Sequence, residues 1–121
     1  MIEIKNITKT FNKGNLRALD NVSCKIESNK IVGFIGPDGA GKTTLLRIMA
    51  GILTPDSGEI ITDGKNLLLY NQDDPSGFSI DDLQKIIAYM PQKFGLYEDL
   101  TVMENLALYA TFQDLSENEK K

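Results

Sequence analysis

At 121 residues the chain has room for one ordinary domain and not for two. A hydrophobic fraction of 41% beside 25% charged residues belongs to a globular chain, and the net charge of −4 gives no general basic surface, so no nucleic-acid partner is expected. A single cysteine excludes an internal disulfide, no apolar run is long enough to span a bilayer, and the N-terminus has no signal-peptide pattern.

Residues 1–10 alternate Ile2, Ile4 and Ile7 with polar positions and read as a half-buried strand. Residues 12–15 form a turn, and residues 19–27 alternate again, which places Cys24 on a buried face and makes an antiparallel hairpin. Residues 31–35 are continuously apolar, as in a strand buried on both faces, and a glycine-rich loop follows. Residues 42–50 carry Leu45, Leu46, Ile48 and Met49 at helical spacing, with Gly51 as terminator. Residues 54–58 turn the chain into a short strand at 59–62, ended by Asp63 and Gly64.

Residues 71–77 are polar and predict an exposed loop, and Ser79 with Asp82 predicts a short capped helix through Ile86. Residues 87–90 read as a buried strand stopped by Pro91. Thr101 with Glu104 makes a second capping pattern, followed by Val102, Leu106 and Tyr109 at helical spacing. Ser116 with Glu119 signals a further helix, for which no apolar face follows before Lys121. Truncation of a larger domain is therefore expected.

The chemistry concentrates in Gly36-Pro37-Asp38-Gly39-Ala40-Gly41-Lys42-Thr43-Thr44, a full match to G-x-x-x-x-G-K-[ST]. Phosphate oxygens need to be ringed by backbone N–H donors, so such a loop must curl tightly with no side chains in the way, which glycine permits. The positive end of the following helix adds attraction. Lys42 supplies a point charge for the β- and γ-phosphates of ATP, and the Thr43 hydroxyl is a hard oxygen suited to Mg²⁺. A GTPase is the rival within the same superfamily, because Asp74 to Gly77 fits D-x-x-G. No buried strand leads into Asp74, however, and the Asn-Lys pairs, Asn12-Lys13 and Asn29-Lys30, both precede the loop and neither continues to an aspartate two positions on.

The order of pieces resembles an ABC-transporter ATP-binding subunit. The blocks are Thr8-Lys9-Thr10-Phe11, Leu19-Asp20-Asn21-Val22-Ser23, the phosphate loop with Ile35 and Leu45, Ala50 through Gly58, Ile87-Ala88-Tyr89-Met90-Pro91-Gln92 and Leu100 through Leu106, covering nearly the whole chain. The resemblance implies an α/β P-loop NTPase fold: an antiparallel β-subdomain and the first part of a RecA-like core, with residues 1–121 the N-terminal portion of one such domain. It implies that Phe11 stacks on adenine, where the family more often has tyrosine, and that Gln92 reaches Mg²⁺ and the attacking water. It also implies that residues 93–106 receive a transmembrane subunit and that a second ATP-binding subunit completes a dimer. The implied location is cytoplasmic, peripheral on the membrane's inner face.

Two departures stand out. Asp38 takes a position where the family commonly has asparagine or serine, so its carboxylate should point away from the phosphates or cost affinity, and the 71–77 loop is longer than usual. The family's later parts, a Leu-Ser-Gly-Gly-Gln signature, an apolar strand ending Asp-Glu and a switch histidine, find no match in these residues, which include no histidine at all. Lacking the catalytic glutamate, this chain is expected to hold ATP and scarcely to split it. A non-transport ABC ATPase and a truncated nucleotide-binding module without turnover are the alternatives.

Overall fold

The computed structural model describes residues 1–69, 86–92 and 95–112. The chain divides into two compact units, Met1–Leu83 and Gln84–Lys121.

The first unit is built on an antiparallel sheet. Strand β1 (Ile2–Phe11) and strand β2 (Leu16–Ile26) form the expected hairpin across a one-turn 3-10 segment, Asn12–Gly14. Strand β3 (Ser57–Thr62) pairs with the other side of β1, and the two-residue strand β4 (Lys65–Asn66) pairs with β3, giving the order β2-β1-β3-β4. Ile4 faces Cys24 on one neighbour and Ile60 on the other, so these three side chains share a face. Ile4 and Ile60 are buried while Cys24 is only half-buried, because β2 is an edge strand of the sheet among the described residues.

The inward positions of β1 step by two from Ile2 to Ile4 and then by three to Ile7. A bulge absorbs the extra residue: the register shifts between Ile4 and Ile7, and Asn6 takes a φ of 51°. Side chains replace the ladder bonds lost there. The Asn6 amide donates to Ser23 Oγ at 2.9 Å, Ser23 donates back to Asn6 Oδ1 at 3.1 Å, and the Asn21 amide donates to Thr8 Oγ1 at 3.1 Å.

Helix α1 (Lys42–Met49) lays Leu45 and Ile48 into the core with Ile4, Ile7, Leu19, Ile60 and Leu67. It ends as its sequence demands. Gly51 at φ 71° lets its own amide reach the Ile48 carbonyl at 3.0 Å while the Ile52 amide reaches Arg47 at 2.9 Å.

The loop after α1 returns to the end of β1 through Asp56. Its carboxylate accepts from Lys9 Nζ at 2.9 Å, from the Thr10 amide at 2.7 Å and from Thr10 Oγ1 at 2.6 Å, while its own amide donates to the Thr8 carbonyl at 2.9 Å. The Thr10 hydroxyl, then Lys9, then the Thr10 amide hold the Asp56 carboxyl down to about 2. A carboxyl depressed in the folded state stabilises the fold above its unfolded value near 3.8, and that contribution fades as pH falls toward about 2. The stability difference between the parent and Asp56→Asn is therefore expected to be flat above about pH 5 and to shrink on acidification below about pH 4. Urea unfolding at stepped pH reads it directly, and a gap that stays constant down to pH 2.5 would contradict the clamp.

Two expected strands are not strands. Residues 31–35 have no ladder partner among the described residues, and Ile31 and Ile35 stand 105% and 99% exposed. Residues 87–90 are likewise irregular, with Met90 92% exposed. An apolar run states a preference for burial, but a strand of this kind exists only when neighbours bond to both of its edges. The expected 71–77 loop, the helix start at Ser79 and the helix start at Ser116 lie outside the described residues.

In the second unit, helix α2 (Val102–Phe112) opens on the capping box read from Thr101 and Glu104. The Thr101 amide donates to Glu104 Oε2 at 2.8 Å and the Glu104 amide to Thr101 Oγ1 at 3.3 Å; the Thr101 hydroxyl and amide together hold the Glu104 carboxyl below its usual range. Asn105 is buried and ties the preceding loop to this first turn. Its Nδ2 donates to the carbonyls of Tyr97, Leu100 and Thr101, and its Oδ1 accepts from the Tyr97 amide. Val102, Leu106 and Tyr109, the apolar positions of the helical pattern, are all exposed, as is Met103. No helix among the described residues is long and apolar enough to cross a membrane.

Candidate functional site

The phosphate-loop residues come together as one turn running into α1. Gly39 and Gly41 both take left-handed backbone, with φ 82° and 86°, and the Ala40 amide closes on the Pro37 carbonyl at 3.3 Å. Lys42 reaches back over the loop, donating from Nζ to the carbonyl oxygens of Gly36 at 2.7 Å and Pro37 at 2.6 Å. Gly41 is the N-cap of α1 and carries no side-chain acceptor, and the first turn contains no acidic residue. The positive end of the helix is thus left uncapped beside a lysine, the condition under which an anion is welcome.

What docks the loop is the absence of a side chain at Gly41. A Cβ built there would lie 2.4 Å from the Ala18 carbonyl oxygen and 2.8 Å from Leu19 Cδ2, both on β2. Glycine alone lets the turn approach the strand this closely. The same strand carries Leu16, the register partner of Phe11, so Phe11 stands at the hairpin end of the strand pair against which the loop rests. Phe11 is half-buried, and the Lys9 ammonium sits 5.6 Å from its ring centroid.

Thr43 is exposed in the first turn of α1 and Thr44 half-buried beside it. No cluster of three or more acidic, cysteine or histidine side chains that could hold a metal occurs among the described residues. The Thr43 hydroxyl is a single hard oxygen, the kind of ligand that Mg²⁺ accepts. Asp38 is exposed at the crown of the turn, without a hydrogen bond or ion pair among the described residues. Gln92 belongs to the second unit, exposed directly after Pro91. Sequence reasoning overlooked Asp56 and Lys9. Asp56 sits in a Pro-Asp-Ser-Gly run that any surface turn would carry, although an acid there has the reach to bond backbone amides.

The family profile described as ABC transporter matches residues 19–121. Over all 121 residues the chain is 41% identical to the probable multidrug ABC transporter ATP-binding protein YbhF of Escherichia coli, covering 19% of that protein. It is 38% identical over 116 residues to the sulfate/thiosulfate import ATP-binding protein CysA of Pseudomonas syringae, 96% of this chain and 32% of that one. Among solved structures, the dimeric bacterial ABC transporter cassette MJ0796 superposes with a TM-score of 0.76 at 32% identity, over 99% of this chain and 52% of that one. A second structure of that cassette, described as a post-hydrolysis state bound to ADP and Pi, superposes with a TM-score of 0.75. The chain therefore spans about half the length of the solved cassettes and a third or less of these curated relatives. The P-loop NTPase fold expected from the blocks is the fold of these neighbours, and the guanine-nucleotide alternative finds no support among them. With the phosphate loop, the hairpin and the flanking blocks all falling within these matches, the chain belongs to the ABC transporter family, among its ATP-binding subunits.

Proposed function

We propose that the chain binds Mg-ATP at residues 36–44, as the phosphate-holding part of the nucleotide-binding subunit of a transporter that couples ATP hydrolysis to transport. The observation that carries this reading is the loop itself: Lys42 drawn over two carbonyls, an uncapped α1 and a glycine pressed against β2. In it, Lys42 and the loop's backbone N–H groups hold the phosphates, the Thr43 hydroxyl would serve Mg²⁺, and Phe11 takes the adenine face. ATP supplies the γ-phosphoryl group that hydrolysis transfers to water, with ADP as the leaving group; the chain's residues bind and orient the nucleotide.

Partners belong to the same reading. The exposed apolar positions of α2, within and beside residues 93–106, favour contact with a transmembrane subunit, and the dimeric cassette MJ0796 favours pairing with a second ATP-binding subunit. Such contacts make the location peripheral on the inner face of the membrane. The 121 residues contain no candidate for the water-orienting glutamate and no histidine, so they hold nucleotide without appreciable turnover. Calorimetric titration with Mg-ATP, run beside a phosphate-release assay, tests both halves. Saturable one-to-one binding with release at background is expected. Absence of binding overturns the assignment of the loop, and turnover on the order of one per second or faster overturns the assignment of the missing chemistry.

A further inference from the structure

We propose that Asp56 is a positioning residue for the nucleobase: through Lys9 and Thr10 it sets the aromatic platform of Phe11 at a fixed place relative to the phosphate helix. The inference rests on the reading of Phe11 as the adenine contact.

Three facts lead to it. Asp56 lies in the loop that leaves α1, the helix whose N-terminus meets the phosphates, and its carboxylate grips the last residues of β1 before Phe11 by three hydrogen bonds. One of those bonds holds the Lys9 ammonium, and that same ammonium lies 5.6 Å from the Phe11 ring centroid. The Lys9 side chain is only 15% exposed, so its position is set by packing and by the carboxylate, whereas a solvated lysine would sample many rotamers. Lys9 and Phe11 are two residues apart on β1, and across the register shift at Lys9 the ammonium still lies over the Phe11 ring.

The physical consequence has two parts. A cation held at the ring occupies that side of Phe11 and leaves a purine the other side to stack upon. The bond to the Thr10 amide also fixes the backbone from which the ring projects, so the separation between base and phosphate subsites is set before nucleotide arrives. Asp56 touches neither subsite in this scheme. It acts by holding what does.

The readout is the ratio of Mg-ATP affinity to Mg-tripolyphosphate affinity, measured by calorimetry on the 121-residue chain. Tripolyphosphate engages the phosphate loop and has no base. Asp56→Asn is expected to lower the ratio about three- to tenfold, the scale of one lost cation–π and ordering contribution. Lys9→Met should lower it similarly while leaving the Asp56 bonds to Thr10 in place, and Lys9→Arg should restore most of it. Phe11→Ala sets the limit the ratio can reach. Equal weakening of both ligands by Asp56→Asn would make Asp56 a general scaffold residue and overturn the proposal, as would an unchanged ratio. If Asp56→Asn does not fold, Lys9→Met decides on the same criterion. A ratio unmoved by Phe11→Ala removes the platform itself, whereas a ratio moved by Phe11→Ala and not by the Asp56 or Lys9 variants removes only the positioning role.

Discussion

Replacing Lys42 by alanine is expected to weaken Mg-ATP binding by roughly ten- to a hundredfold, the equivalent of about 1.5–3 kcal/mol for a charge-assisted hydrogen bond. The geometry gives a second reason for a large effect. The Lys42 ammonium is bonded to the carbonyls of Gly36 and Pro37, so it also staples the turn into the curl that presents amides to an anion. Removing the side chain takes away both the charge and the staple, and the loop must then be ordered by the ligand at an entropic cost. Titration of a fluorescent ATP analogue against parent and variant measures the difference. Equal affinities would mean that the phosphates bind elsewhere.

Gly41→Ala is expected to be the most damaging single substitution in the loop, costing about 2–5 kcal/mol of stability and most of the nucleotide affinity. Two penalties add. A φ of 86° puts an alanine in the left-handed region, worth about 1–2 kcal/mol. The new methyl would also sit 2.4 Å from the Ala18 carbonyl oxygen, a backbone atom in the hairpin that cannot yield as a flexible side-chain tip could. Gly39→Ala separates the two, since Gly39 has a φ of 82° but nothing within 4 Å of where its Cβ would stand. Urea midpoints for the two variants should differ by the contact penalty alone. Equal midpoints would show that the loop does not rest on β2.

Elements whose bonding partners are near in sequence were legible from the residues. The hairpin of β1 and β2, the strand at 59–62, α1 with its Gly51 stop and the Thr101–Glu104 box all appear within a residue or three of expectation. Each is specified by local periodicity, caps and turn chemistry. The runs at 31–35 and 87–90 failed because their periodicity says only that they are apolar. Strand geometry requires partners that the run itself does not encode. The site divides the same way. The glycine-rich motif is contiguous and its turn into α1 was legible from the residues, whereas the grip of Asp56 on Lys9 and Thr10 spans 46 and 47 positions and depends on a loop returning to a strand end. Asn105, buried in four hydrogen bonds to its own neighbourhood, gave no sign of burial because an asparagine in a helix's first turn usually faces water.

The isoleucines at 31 and 35 and the methionine at 90 remain almost as wet in the folded chain as in an unfolded one. Folding consequently dehydrates less apolar surface than it would with these three side chains buried. The heat-capacity difference between the two states follows that surface, about 0.45 cal/K/mol for each apolar Å², and shrinks with it. A small heat-capacity difference bends the stability curve less. The balance between folded and unfolded chain then varies more gently with temperature than it would with those side chains buried.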